Sequence, residues 1–185
     1  MTRLIVNIVA FQAGWFACVF SSAWGMPLAG ALAVVGILAI NLALDASPLS
    51  EARAVLAVAV PGAMVDTALL LLGVITFGDG SGFPLMFPVW VLALWLNFAA
   101  TLNVSLKWLR GRWWLAAILG AIGGSTTYLA GAKLGALGLH ENVWLAMGVI
   151  GAEWAIALPL ASWAAWRLRE VGGAANARAG KEALA

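Results

Sequence analysis

Residues 54–77 read AVLAVAVPGAMVDTALLLLGVITF, an apolar run broken by one proline, Pro61, and one carboxylate, Asp66. A run of this length matches the ~20 residues that carry an α-helix across about 30 Å of hydrocarbon. Five more such runs lie on either side of it, at residues 4–22, 26–44, 85–106, 113–131 and 142–166. The segments between them hold turn and breaker residues: Gly25 and Pro27, Pro48 within 45–51, the stretch 78–84, and the segments 107–112 and 132–141. The predicted fold is all-α, a polytopic transmembrane bundle of six helices. Residues 1–169 form its single domain, and 170–185 an Ala/Gly-rich cytoplasmic tail, mobile or weakly helical. The very short first gap predicts a tight antiparallel hairpin of helices one and two.

Composition agrees. Of 185 residues, 64% are hydrophobic and 10% charged, with a mean hydropathy of +0.99. Soluble domains run at about 45–50% apolar and about 25% charged, so too few charges are present for a solvated shell. The net charge of +2 does not call for a nucleic-acid partner, because the cations flank apolar runs. The single cysteine, Cys18, excludes an intramolecular disulfide and a cysteine-based metal site.

The basic residues set the expected orientation. Arg3, Arg53, Lys107, Arg110, Arg112, Arg167, Arg169, Arg178 and Lys181 fall on one side of a six-span layout, and Lys133 alone on the other. The positive-inside rule makes the basic side cytoplasmic, with both chain ends inside. An odd number of spans would scramble this partition. Arg3 before an apolar stretch could suggest a cleaved signal peptide. That stretch exceeds the usual ~7–15 residues and contains Asn7 and Gln12, so an uncleaved first span is expected.

Tryptophan follows the same layout. Trp24 and Trp144 are expected at the outer interface, and Trp108, Trp113, Trp114, Trp163 and Trp166 at the inner one. Trp15, Trp95 and Trp154 fall deeper, where each indole N–H needs a partner inside the bundle. The segment 107–114, KWLRGRWW, reads as a cytoplasmic membrane anchor, with anionic-lipid headgroup binding as the functional alternative.

Helix association in lipid depends on close packing and polar contacts. In helix five, Gly120, Gly124, Gly131 and Gly135 recur at spacings that keep them on one face, a helix-packing surface within the molecule or between copies. A substrate passage along the same glycines is the other reading.

Two carboxylates fall near mid-membrane, Asp66 in helix three and Glu153 in helix six. Asp66 shares a face with Gly62 and Gly73, and Glu153 with Ala146, Ala157 and Ala164. Gln12, Asn97 and the 125–128 stretch with Thr127 and Tyr128 lie at similar depth, and Asn7, Asn41 and Asn103 form a second polar layer nearer the cytoplasm. Ionised groups at the bilayer centre cost at least ~2.5–3.5 kcal/mol, so such residues face the bundle interior and are functional-site candidates by default. No Lys or Arg lies at their depth. The pair could carry a proton, bind a cation or act as acid and base; alternatively it only hydrogen-bonds Asn97, Gln12 or hydroxyls across helices. Pro61 and Pro159 lie on the cytoplasmic side of the two carboxylates, and each frees a backbone carbonyl one turn earlier.

Several familiar chemistries have no residues here. His140 is the only histidine and sits in an external loop, so a histidine-held metal centre is not expected. No HExxH, Walker A, GxGxxG or GxSxG sequence occurs, and no cofactor is expected. The loop 78–82 reads as a flexible turn whose single carboxylate makes a poor calcium site.

The stretches 7–15 (NIVAFQAGW), 88–108 (PVWVLALWLNFAATLNVSLKW) and 120–135 (GAIGGSTTYLAGAKLG), together with Asp66 and Gly73, resemble a family of small bacterial inner-membrane proteins known as a domain of unknown function, of the DUF2878 type. The resemblance spans most of residues 4–165 and implies a bacterial inner membrane. It brings no activity and no catalytic residues. Three functions stay open: a proton- or cation-coupled transporter, an intramembrane enzyme acting on a lipid or isoprenoid, and a non-catalytic assembly partner. Membrane lipids and a small-molecule or lipid substrate are the expected partners.

Overall fold

The computed structural model describes residues 2–78 and 88–182, with side chains as far as residue 172. Six helices follow in order: α1 (Thr2–Ala23), α2 (Pro27–Ala43), α3 (Pro48–Leu71), α4 (Val89–Leu102), α5 (Trp113–Lys133) and α6 (Val143–Glu182). The chain is a multi-pass, all-α membrane bundle. α1, α3, α5 and α6 are each long and apolar enough to span a bilayer, while α2 has 17 residues and α4 has 14. α4 packs against α1, α2, α3 and α6. Its short length, about 21 Å of axis, goes with a helix enclosed by four others and buried along most of its residues. Both the loop at 79–82 and the expected start of span four at residue 85 lie outside the described residues. The expected tail begins within α6, whose helical backbone continues to Glu182.

The third span is displaced from its expected place. The helix covers Pro48–Leu71, six residues nearer the chain start than the apolar run 54–77. Its limits are set by capping, which hydropathy does not register. Pro48 stands at the first helical position, where a missing N–H costs nothing. Gly73 takes φ +70° just past the end, and Val74 N–H to Leu69 O (2.9 Å) with Gly73 N–H to Leu70 O (3.0 Å) closes a Schellman motif. Gly73 therefore ends α3 and does not share a helical face with Asp66, which comes to lie five residues from the helix end.

The segments after α3 and α5 meet. Strand β1 (Ile75–Thr76) pairs antiparallel with β2 (Gly138–Leu139), Ile75 opposite Leu139 and Thr76 opposite Gly138. His140 N–H extends the clasp to Val74 O at 3.0 Å. At the opposite end of the bundle, ion pairs join the start of α1, the α2–α3 turn and α6. Asp45 is paired with both Arg3 and Arg169, and Arg169 reaches Glu51 at 2.5 Å. Both ends of the membrane domain thus lie on one side.

The predicted α1–α2 hairpin is present. It closes at Gly30, whose N–H donates to Ser21 Oγ at 3.1 Å and where a Cβ would run into the backbone of Ala17 and Cys18.

Candidate functional site

The core at the level of Asp66 is built from glycine and tryptophan. Trp95 of α4 lies on Gly62 of α3, and Trp154 of α6 lies on Gly124 of α5; a Cβ at either glycine would collide with the indole. The two indoles stack at 4.9 Å with planes 9° apart, and Phe98 meets Trp154 edge-on at 5.1 Å. Gly120, one turn before Gly124, lies against the Trp154 carbonyl, so α5 and α6 approach backbone to backbone. The four glycines of the expected packing face do not act as one. Gly120 and Gly124 make the helix contact, and Gly131 faces Leu137. Gly135 falls beyond Lys133, the last residue of α5, and takes φ +83° in the turn.

This platform positions Asp66, which is 4% exposed. Trp95 Nε1 donates to its Oδ2 at 2.7 Å, and the Tyr128 hydroxyl donates to its Oδ1. Gly62 and Asp66 are one turn apart on α3, so the residue that seats the Trp95 ring and the residue that accepts its N–H share a face. Glu153 stands within electrostatic reach of both Asp66 and Tyr128, and both its carboxyl oxygens are buried without a hydrogen-bond partner. Among the described residues neither Asp66 nor Glu153 forms an ion pair. The Trp154 indole N–H lies near the Tyr128 hydroxyl but falls short of hydrogen-bond geometry.

Asp66 and Tyr128 open onto a cavity of about 610 Å³. One wall is a stripe of α1 formed by Ile8, Phe11, Gln12, Trp15 and Val19; the other is a stripe of α5 that includes Leu119, Gly123 and Thr127. The floor is α4, with Leu94, Trp95 and Phe98. α1 does not pack along α5, and Ile8 (47%), Leu119 (38%), Gln12, Gly123 and Thr127 are exposed. The cavity is therefore a lateral groove facing the lipid. It runs from Ala136 and Leu137 near the β clasp to Ser105, Leu106, Trp108 and Leu109 at the other end.

Of the residues singled out from the sequence, Asp66, Tyr128, Gln12 and Thr127 share this groove, while Glu153 is half-buried and does not line it, only its carboxyl oxygens being fully enclosed. Asn97 does not join them. It donates to Phe11 O of α1 at 2.8 Å and packs on Gly14. Standing two residues after Trp95, it projects from another face of α4.

The second polar layer divides. Asn7 Nδ2 donates to Asn41 Oδ1 (2.8 Å) and to Ala100 O (3.0 Å). Asn103 joins the ion cluster, donating to Glu51 Oε2 at 3.0 Å and accepting from Arg110 at 2.7 Å. That cluster of Asp45, Glu51, Arg3 and Arg169 was not evident from the sequence, where the acids read as loop residues and the arginines as topology signals. Burial pushes the Asp45 carboxyl up, but hydrogen bonds from Arg169, from Ser47 N–H and from Arg3 outweigh it and hold the group below its usual value.

A six-helix bundle with a carboxylate-bearing groove open to lipid defines a multi-pass membrane protein with a buried polar site. Residues 4–160 match the family described as "Protein of unknown function (DUF2878)", and the chain belongs to that family. No curated protein and no solved structure matches the chain.

Proposed function

We propose that this protein works in the bacterial inner membrane, both ends cytoplasmic, as an intramembrane enzyme acting on the chain of a lipid or isoprenoid. The observation that carries this reading is the position of Asp66. Its carboxyl, held by Trp95 and Tyr128, faces an apolar groove whose open side borders the bilayer. In a membrane such a groove is bathed by hydrocarbon, so a chain reaches the carboxyl without leaving the lipid phase. Two carboxyls and a phenol, none of them ion-paired to a cation among the described residues, support proton transfer, one group donating to the chain while another accepts from it. The orientation rests on the placement of all basic residues but Lys133 on one side.

Comparison of the lipids of cells with and without the protein tests this. A species that depends on the protein and disappears with Asp66→Asn and with Glu153→Gln is expected; identical lipid profiles in all four strains would overturn the proposal. Glu153 favours proton- or cation-coupled transport as a second reading, because its buried oxygens have no partner and Asp66 is within reach. That reading expects pH-driven flux in proteoliposomes, abolished by Asp66→Asn.

A further inference from the structure

We infer that the groove takes an anionic membrane lipid, its phosphate-bearing headgroup against Lys107 and Arg112 at the α4–α5 turn and its chain lying between α1 and α5 toward Asp66. The inference rests on the lipid reading above and adds the class of substrate.

The groove ends on this turn, where Ser105, Leu106, Trp108 and Leu109 line it. Three cations stand on the same short segment. Arg110 is engaged, donating to Asn103 Oδ1. Lys107 lies between two lining residues on a 3-10 turn, and Arg112 caps the start of α5. Both are exposed, and among the described residues neither enters an ion pair. The nearby acids Asp45 and Glu51 are occupied by Arg3 and Arg169. Glu170 lies within electrostatic reach of Arg110 and offsets part of the charge, leaving the turn net positive.

The exposed indoles of Trp108, Trp113 and Trp114 set the level of this turn at the headgroup region. A lipid phosphate at that level meets the free cations, while the chain below it meets the apolar groove. Tyr128 stands about 22 Å further along α5 at 1.5 Å per residue. Asp66 and Tyr128 are therefore positioned against the distal part of the chain, so chemistry there leaves the headgroup and its linkage intact.

The test uses the full-length protein in nanodiscs of phosphatidylcholine and phosphatidylglycerol in equal amounts, with retained lipid identified after extraction by native mass spectrometry. Retained lipid is expected to be enriched in phosphatidylglycerol. Lys107→Gln and Arg112→Gln each lower the enrichment about fivefold, the factor for one basic residue at an anionic surface, and Lys133→Gln at the other end leaves it unchanged. Gly123→Phe separates this inference from the reading beneath it. Gly123 lines the groove, and a Cβ there meets no atom within 4 Å, so a larger side chain starts in open groove space. Loss of all retained lipid in Gly123→Phe supports the groove as the binding site. Retention undiminished in that variant overturns the lipid reading itself. If Gly123→Phe empties the groove but the wild type shows no enrichment, or loses it through Lys133→Gln, the anionic headgroup assignment falls and the lipid reading stands.

Discussion

Trp95 and Trp154, from α4 and α6, stack face to face with centroids 4.9 Å apart and planes inclined by 9°. Each ring rests on a glycine of another helix, Trp95 on Gly62 and Trp154 on Gly124, so four helices meet through one pair of indoles. Trp95 also supplies the N–H that holds Asp66 at 2.7 Å. Packing and site geometry are therefore coupled, and substitutions at the glycines test the coupling.

Gly62→Ala places a methyl group inside the Trp95 ring. The ring must shift, at about 1–3 kcal/mol for overpacking a tight core, and its bond to Asp66 shifts with it. Trp95→Phe keeps an aromatic ring but removes the donor, at about 1–2 kcal/mol for an interhelical hydrogen bond. Both variants are expected to lower the midpoint of thermal unfolding in detergent and, under the proposed lipid reaction, to disturb formation of its product. A Gly62→Ala protein with wild-type midpoint and activity would contradict the coupling.

Three glycines of α5 are expected to respond differently. Gly120 and Gly124 lie against the backbone and ring of Trp154, whereas a Cβ on Gly123 meets nothing. Gly120→Ala and Gly124→Ala should each cost about 1–3 kcal/mol by forcing α5 from α6. Gly123→Ala should cost nothing, and could gain a few tenths to about 1 kcal/mol through helix propensity. Denaturation in mixed detergent micelles ranks the three; equal losses would mean that α5 does not pack on Trp154.

The ion cluster predicts an acid limb of stability. The Asp45 carboxyl titrates lower in the folded protein than its ordinary 3.8. Its contribution is therefore complete above 3.8 and is lost as pH falls through the lower folded value. Arg3 and Arg169 are 38% and 25% exposed, so removal of Asp45 should cost about 1–3 kcal/mol, less than for a fully buried pair. Thermal unfolding followed from pH 7 down to pH 3 should show a decline that is shallower in Asp45→Asn. An acid limb of unchanged steepness in that variant would assign the titration to another group.

Asn97 separates structural from site polarity. Its amide bridges to the α1 backbone at 2.8 Å and takes no part in the Asp66 cluster. Asn97→Ala should lose about 1–2 kcal/mol of stability while the output of the proposed lipid reaction per folded molecule stays unchanged. Loss of product without loss of stability would return Asn97 to the site.

The sequence by itself determined the number of helices and that Asp66 must be enclosed. Hydrophobicity and the cost of burying charge are local properties, legible from composition and spacing. The expected end of the fifth span at 131 lies within one turn of the end of α5 at Lys133, because a helix starting at Trp113 has crossed the bilayer by then at 1.5 Å per residue, although small residues run on to Gly138. The third span slipped because Pro48 and Gly73 set its limits, and capping is a backbone property that hydropathy averages away. Which polar residues meet was decided by tertiary structure alone. Asp66 finds Trp95 and Tyr128 from two other helices, Asn97 turns to α1, and Asp45 closes on two arginines far apart in the chain. In lipid, hydrophobicity does not choose one helix face over another as neighbour. Close packing chooses instead, against backbone at Gly30 and Gly120 and against indole rings at Gly62 and Gly124, and such complementarity exists only between helices.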